Sequence, residues 1–371
     1  MTEILDRTDR RILDLIQRNF PLVSRPFNVI AERVATTEDD VMERLARLKQ
    51  AGVVREICAV FDAARLGYRS TLAAMAVVPA RIEQVAAIVS AHPGVSHNYE
   101  RTHRFNLWFT LTISGDRSVE EEVGRLARKA RVDDFLVLPV LRRFKIGVDF
   151  DLGTRGEDEQ SVVSRQPSAV SDQPSAISHQ GSDDSNQKSR IGSPKSKIQN
   201  RKSRIEKSSS VTAALSLPEK AVIRILQYDL PLEPRAFARL AARISMAEDE
   251  VLSIAANLLA TSVMRRIGAI LRHRQVGYLA NAMVCWIIPS KRIERAGKRA
   301  ARERAVSHCY ERPTFPPRWP YNLMTMIHGR SEDEVRKVVR RLHADLRPTD
   351  HAILFSLREF KKQRVHYFED K

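Results

Sequence analysis

Apolar and polar positions in the first fifty residues alternate with the period of an α-helix. Apolar side chains within positions 12–16 form one stripe. A second helix opens at Pro26, because a first-turn proline loses no intrahelical hydrogen bond. A third helix ends near Gly52. Three short helices at these lengths predict a helix-turn-helix module, and the strand-like stretch 53–61 follows as a possible wing.

The next eighty residues change to a mixture of strand and helix periods. The predicted order is strand 71–78, helix 82–90, hairpin 97–113, helix 119–130 and strand 135–144. This β-α-β-β-α-β order is ferredoxin-like. The fold class predicted for the chain is therefore α+β.

The whole pattern then recurs, so the chain is a tandem duplication. Its predicted parts are a helix-turn-helix and wing over 1–69, a ferredoxin-like domain over 70–152, a linker over 153–211, a second helix-turn-helix and wing over 212–278, and a second ferredoxin-like domain over 279–371. The linker is rich in Ser, Gln, Asp, Lys and Pro and has too little apolar surface to offset its ordering entropy, so we expect disorder. Duplication predicts that the halves pack as a pseudo-symmetric dimer, and further oligomers stay open.

A polar string occurs once in each half. Residues 95–101 read V-S-H-N-Y-E-R and residues 306–312 read V-S-H-C-Y-E-R. Because alternate residues of a strand face one side, each string places an imidazole, a phenol and a guanidinium on one face. They are His97, Tyr99, Arg101 and His103 in the first copy, and His308, Tyr310 and Arg312 in the second. A structural strand would more often carry apolar side chains there, so the recurrence predicts a functional site.

Bulk composition narrows the partners. No apolar run is long enough for a membrane span, and the three cysteines form no C-x-x-C pair, so neither a zinc site nor a disulfide framework is indicated. A reducing cytoplasm fits this usage. The net charge of +17 is uneven, because residues 213–371 hold 29 Lys and Arg against 17 Asp and Glu. Such a basic half suits a polyanion, either nucleic acid or a small polycarboxylate.

The order of elements and the strings together resemble a known family. A helix-turn-helix followed by a βαββαβ domain resembles the Lrp/AsnC transcription regulators. The more specific strings resemble a catalytic branch of that family, the two subunits of siroheme decarboxylase. They are Val95–Trp108 with Phe144–Gly147, Val306–Arg312 with Trp319–Leu323, and Arg265–Arg274. One half is similar to each subunit, so the resemblance indicates a fused form and covers nearly all of the chain outside the linker.

This resemblance implies a carboxy-lyase, a carbon–carbon lyase that removes carbon dioxide from two acetate side chains of siroheme. The product would be didecarboxysiroheme, on the route to haem or to haem d1. The iron-containing siroheme would be the substrate, with no added cofactor. The basic second half would then face the carboxylates of the pigment.

Roles for individual side chains follow from their chemistry. His97 and His308 are the expected general acids, since imidazole exchanges protons near neutral pH. Arg101 and Arg312 are expected to bind carboxylates of the substrate. The other expected substrate contacts are aromatic or polar: Tyr99, His103, Asn106, Trp108, Tyr310, Trp319, Tyr321 and Asn322. For these, plain core packing or hairpin capping stays an alternative.

Two other functions stay open from the sequence. The family is mostly regulatory, but the expected recognition helices begin with three carboxylates each, at 38–40 and 248–250. Carboxylates beside phosphates oppose DNA binding, although they also suit a helix N-terminus. Specific DNA binding is therefore disfavoured. A haem-responsive sensor that binds without turnover would use the same pocket.

Overall fold

The computed structural model describes residues 5–147, 215–272 and 280–369. The predicted linker over 153–211 lies outside these ranges. The first half contains α1 (Arg7–Arg18), α2 (Pro26–Val34), α3 (Glu38–Gln50), β1 (Val54–Phe61), β2 (Tyr68–Met75), α4 (Ile82–Ser90), β3 (Val95–Arg101), β4 (Leu107–Ser114), α5 (Val119–Ala130), β5 (Phe135–Pro139) and β6 (Arg142–Ile146). The second half contains α6 (Leu217–Leu226), α7 (Ala236–Ala242), α8 (Glu248–Ala260), β7 (Met264–Leu271), β8 (Ala280–Ile287), α9 (Ile293–Arg302), β9 (Val306–Glu311), β10 (Leu323–Gly329), α10 (Glu332–Leu346) and β11 (Asp350–Lys362).

The helical modules of the two halves share one hydrophobic core. Side chains of α1 and α3, such as Ile12 and Leu45, belong to the same buried cluster as Ile223 and Leu258 of α6 and α8. The strand expected as a wing is present as β1. Its partner is the equivalent strand of the other half, because β1 pairs antiparallel with β7. This two-stranded ribbon joins the two modules.

Each half also forms the predicted ferredoxin-like sheet. The strand order is β5-β2-β4-β3 in the first half and β11-β8-β10-β9 in the second. The two sheets continue into one another, since β11 pairs with both β8 and β3. The expected α+β class and the duplication are confirmed.

The last strand of each ferredoxin-like unit crosses between the halves. The strand predicted over 135–144 is interrupted after Pro139, and β6 then pairs with β9 of the second half. Leu141 N donates to Glu311 O at this crossing (2.9 Å). The register places Ile146 opposite His308, just as β11 places Lys362 opposite His97.

Three further cores lie around these sheets. Two of them fill the space between each sheet and its own pair of helices. The third contains side chains of both halves, including Phe105, Trp108, Cys285 and Trp319. This shared core fixes the two halves against each other and forms one side of the site described next. Across the described ranges, no helix combines the length and apolarity needed to cross a membrane.

Candidate active site

A cavity of 1030 Å³ lies between the two halves. Its walls include β2, β3, β4 and β6 of the first half, β7, β8, β9 and β10 of the second, the β1–β2 connection and the segment that follows β11. Its volume is at the upper end of the range for small-molecule sites. The cavity is therefore large enough for a substantial ligand, and both halves contribute to it.

The two polar strings meet in this cavity. Besides Ser96, the residues of the strings that line it are His97, Tyr99 and Arg101 from β3, and His308, Tyr310 and Arg312 from β9 and the residue after it. Their neighbours in the chain, such as Asn98 and Cys309, are buried on the opposite face. The alternation of a strand therefore brings six chemically capable side chains into one space.

Arg101 and Arg312 are buried cations without a counter-ion among the described residues. They are 6% and 8% exposed. Arg101 Nη1 donates to Leu354 O (3.2 Å), and Arg312 Nη1 donates to Leu138 O. Within the described ranges, the Nε atom of each arginine has no hydrogen-bond partner. Burial lowers the pKa of each guanidinium from its ordinary value to about 10.

The hydroxyl group of the preceding serine contacts each imidazole. His97 Nδ1 lies 2.9 Å from Ser96 Oγ, and His308 Nδ1 lies 2.8 Å from Ser307 Oγ. Nδ1 is engaged in this way, so Nε2 of each ring is the nitrogen available to a ligand. The same local sequence, V-S-H, produces both contacts.

Burial and nearby cations keep both imidazoles neutral near neutral pH. Burial, with smaller contributions from the nearby cations Lys362 and Arg55, lowers the pKa of His97 to about 4. Burial likewise lowers the pKa of His308 to about 4, with Arg265 as the first of the nearby cations. A ligand with negative charge would oppose these effects and raise both pKa values.

The charged side chains of the cavity are mostly positive. Among the described residues, the lining contains two acidic side chains, those of Asp62 and Glu120. The eight basic residues are Arg69, Arg101, Arg142, Arg143, Arg265, Arg312, Lys362 and Arg364. This positive excess favours a ligand with several carboxylates.

Asp62 organises one part of this basic wall. Its carboxylate accepts from Arg265 (2.8 Å) and Arg143 (3.3 Å), and from the backbone of Ala64 (3.0 Å). Burial alone would raise the pKa of Asp62, but the two arginines lower it below its ordinary value. The cluster fastens the β1–β2 connection to β6 and β7.

Asn106 and Asn322 lie outside the cavity lining and fasten the hairpins. Asn106 Oδ1 accepts from Val77 N (2.9 Å), and its Nδ2 donates to Val77 O (2.8 Å). Asn322 makes the same pair of hydrogen bonds with Ile288, at 2.9 and 2.7 Å. The geometry supports the capping role for both residues rather than substrate contact.

The predicted aromatic contacts separate into two groups. Trp108 lines the cavity, although its ring is 1% exposed and its Nε1 donates to Phe105 O (2.6 Å). His103, Trp319 and Tyr321 lie outside the lining. His103 packs edge-on against Trp319 at 5.3 Å, and Tyr321 does so at 4.9 Å. Trp319 belongs to the shared core and Tyr321 packs against it. His103 packs against this core because β3 ends at residue 101, before His103.

The predictions made from the sequence did not include several residues that line the cavity. His328 of β10 and Lys362 at the end of β11 both line the cavity. An alignment of the halves through their strand pairings places Thr112 at the position of His328 and Ile146 at that of Lys362. That difference between the halves is the signal that could have identified them.

Comparison with known families gives two matches, each found twice. A model described as AsnC-like ligand binding domain matches residues 65–145 and 275–361. A model described as siroheme decarboxylase NirDL-like HTH domain matches residues 9–55 and 219–265. Both repeats of the chain are therefore recognised in the order that the duplication predicts.

Relatives that match the whole chain and relatives that match one half of it both support the duplication. The siroheme decarboxylase of Hydrogenobacter thermophilus is 37% identical over 97% of this chain and 95% of its own length. The siroheme decarboxylase beta subunit of Desulfovibrio desulfuricans is 41% identical over 40% of this chain and 94% of its own length. A crystal structure of the siroheme decarboxylase NirDL in co-complex with an iron-uroporphyrin III analogue is 32% identical, with a TM-score of 0.66 over 98% of this chain and 95% of that one.

Proposed function

The chain belongs to the siroheme decarboxylase family as a fused form of the two-subunit enzyme, and from this we propose that it removes carbon dioxide from two acetate side chains of siroheme in the cavity between its halves. The observation that carries the proposal is the pair of buried guanidinium groups, Arg101 and Arg312. A buried cation without a counter-ion is costly in the empty protein. A substrate that bears carboxylates around its rim supplies the missing negative charge.

The proposed reaction breaks one carbon–carbon bond at each acetate. The bond between the methylene carbon and the carboxylate breaks, and carbon dioxide leaves without its bonding electrons. The electron pair passes into the adjoining pyrrole ring of the macrocycle, which acts as the electron sink. A proton then bonds to the methylene carbon and forms a methyl group. Two such steps give didecarboxysiroheme, and the iron belongs to the substrate.

His97 and His308 are proposed as the proton donors for these methyl groups. Each lines the cavity while its Nδ1 contacts a serine hydroxyl, which leaves Nε2 for the substrate. With a pKa of about 4, neither imidazole carries an extra proton near neutral pH in the empty cavity. The carboxylates of bound siroheme raise these pKa values by their opposite charge, so the substrate itself prepares the donors.

The arginines are proposed to bind carboxylates that do not react. A firm grip on a reacting acetate would stabilise the ground state and slow loss of carbon dioxide. Arg101 and Arg312 would instead hold non-reacting carboxylates and position the reacting acetates near Nε2 of the two histidines. Tyr99 and Tyr310 lie under the two guanidinium groups, at 5.3 and 5.0 Å, and restrict where they point.

Contacts at the helix-turn-helix modules weigh against a DNA-binding function. Glu248 opens α8, the expected recognition helix of the second half, and it is 9% exposed. Ser24 of the first half donates to its carboxylate (2.9 Å), and Arg235 also pairs with it. The N-terminal turn that would approach bases in a regulator is thus partly occupied by the other half.

Anaerobic incubation of the purified protein with siroheme, followed by mass analysis of the pigment, tests the proposal. We expect the pigment to lose the mass of two carbon dioxide molecules without an added cofactor. Bound pigment of unchanged mass would support a sensor. No binding of the pigment would contradict both readings and favour the regulatory function.

A further inference from the structure

A second histidine lies behind His308. Ser307 Oγ is 2.8 Å from His308 Nδ1 and 2.9 Å from His328 Nε2, and it can also donate to Met326 O (3.3 Å). A hydroxyl group has one proton and two lone pairs, so it can accept from one ring while it donates to the other. The three side chains therefore form a continuous hydrogen-bonded chain from His328 to the cavity face of His308.

The first half has no such arrangement around His97 in the part of the chain that the structure describes. Ser96 Oγ contacts His97 Nδ1 as in the second half. The strand position of His328 is occupied by Thr112, whose hydroxyl group donates to Ser70 Oγ (3.0 Å). The two halves thus present similar histidines to the cavity but support them differently.

A bulge in the sheet explains how the chain of three side chains forms. The pairing of β9 with β10 shifts between Met326 and Ile327, so that Met326 pairs with His308 and Ile327 pairs with Val306. The shift leaves Ser307 between these two pairs, and a β-bulge of this kind re-aims side chains beside it. His328, one residue beyond the shift, is in hydrogen-bond contact with Ser307.

We propose that His328 is a positioning residue that supplies protons to His308 through Ser307. The inference rests on the proposed decarboxylation. The relay requires His328 to carry a proton on each ring nitrogen at the outset. As His308 gives its Nε2 proton to the methylene carbon, the Ser307 hydroxyl gives its proton to His308 Nδ1 and receives one from His328 Nε2.

The proton count of this step balances. His328 loses one proton and becomes neutral, Ser307 keeps one proton, and His308 exchanges an Nε2 proton for an Nδ1 proton. The carbon gains one C–H bond with the electron pair left by carbon dioxide. His328 must then regain a proton through the cavity that it lines before the next turnover. His308 carries one proton before and after the relay step, so in the second half proton transfer does not depend on the rise in pKa that the substrate carboxylates cause.

Two substitutions separate proton supply by His328 from its hydrogen bond to Ser307. In His328→Gln the side-chain amide can still donate a hydrogen bond to Ser307 but cannot pass a proton through itself. His328→Ala leaves space that free imidazole can enter. His343→Gln is the matched control, since His343 is an exposed histidine on α10, outside the cavity lining.

The experiment is anaerobic single turnover of siroheme by the full chain, with the pigment mass followed over time. We expect His328→Gln and His328→Ala to slow one of the two decarboxylations about 100-fold and to accumulate a mono-decarboxylated pigment, as loss of acid catalysis does. Added imidazole should restore the rate of His328→Ala and should leave His343→Gln unaffected.

The outcomes distinguish this inference from the proposed function. Wild-type protein that binds siroheme without releasing carbon dioxide contradicts the function itself. Wild-type turnover together with full activity of His328→Gln overturns the relay, because a hydrogen bond alone would then suffice. A slow His328→Ala that imidazole does not restore, beside an active His328→Gln, would limit His328 to a structural role.

Discussion

Replacing Arg312 by Met should weaken substrate binding without destabilising the empty protein. The substitution removes a buried charge and keeps a side chain of similar length. Most substitutions of a buried residue destabilise a fold, so this expectation differs from the usual one. The difference comes from the missing counter-ion of Arg312 among the described residues.

The magnitude follows from the pKa of the guanidinium. Burial lowers the pKa of Arg312 from 12.5 to about 10. At about 1.4 kcal/mol per pKa unit, the buried charge costs the empty fold about 3 kcal/mol. Loss of the hydrogen bond to Leu138 O offsets about 1.5–3 kcal/mol of this gain. The net change in the free energy of unfolding should lie between about 0 and 2 kcal/mol of stabilisation.

Substrate binding should change in the opposite direction. A carboxylate of the pigment that loses its buried partner costs about 2–5 kcal/mol, so affinity should fall by roughly 30-fold or more. Urea unfolding of the empty protein and absorbance titration with siroheme measure the two effects. Arg104→Met is the control, because Arg104 is an exposed arginine outside the cavity and its pair with Asp134 contributes at most about 1 kcal/mol. A strongly destabilised Arg312→Met that binds siroheme normally would refute the reasoning.

Three further predictions concern acid stability, the linker and DNA. His97 and His308 stay neutral in the folded protein down to about pH 4, whereas in the unfolded chain they become protonated below about pH 6.5. The unfolded state therefore binds more protons between these two pH values, and the free energy of unfolding rises with pH across that window. Between about pH 4.5 and 7.5 the free energy of unfolding, measured with urea, should change less in His97→Gln/His308→Gln than in wild type, by about 2.5 kcal/mol per histidine. An equal change in the two proteins would contradict the neutral imidazoles. Residues 1–152 and 212–371, expressed separately and mixed, should regain activity, because β11 with β3 and β6 with β9 already join the halves; a stable but inactive mixture would show that the linker contributes to the site. Binding to duplex DNA should be weak and disappear by about 200 mM salt, and a promoter footprint that survives such salt would contradict a purely enzymatic role.

Local signals in the sequence were enough to predict most of the helices. The bounds predicted for 82–90 and 119–130 agree with α4 and α5. Helix ends depend on capping groups close in the chain, such as Ser118, whose side chain accepts from Glu121 N. The break after Pro139 was not predictable in the same way, because β6 exists only through its pairing with β9 in the other half.

The residues of the candidate site were predictable from the sequence where strand alternation alone determines which side chains face the cavity. That rule applies to His97, Tyr99 and Arg101 within β3, and it fails at His103, which follows the end of the strand. His328 could not be identified from its surroundings in the chain. Its contact with Ser307 depends on the register of β10 against β9 and on the shift after Met326.

The central claim is that the histidines of both halves protonate siroheme in one shared cavity. The mass of the pigment after anaerobic turnover tests it most directly, with wild type, His97→Ala, His308→Ala and the double variant compared at equal pigment occupancy. The account predicts loss of two carbon dioxide molecules with wild type, slowing of roughly 10²–10⁴-fold with accumulation of a mono-decarboxylated pigment in the single variants, and bound but unchanged siroheme in the double variant. Loss of both carbon dioxide molecules at the wild-type rate by the double variant would contradict the account.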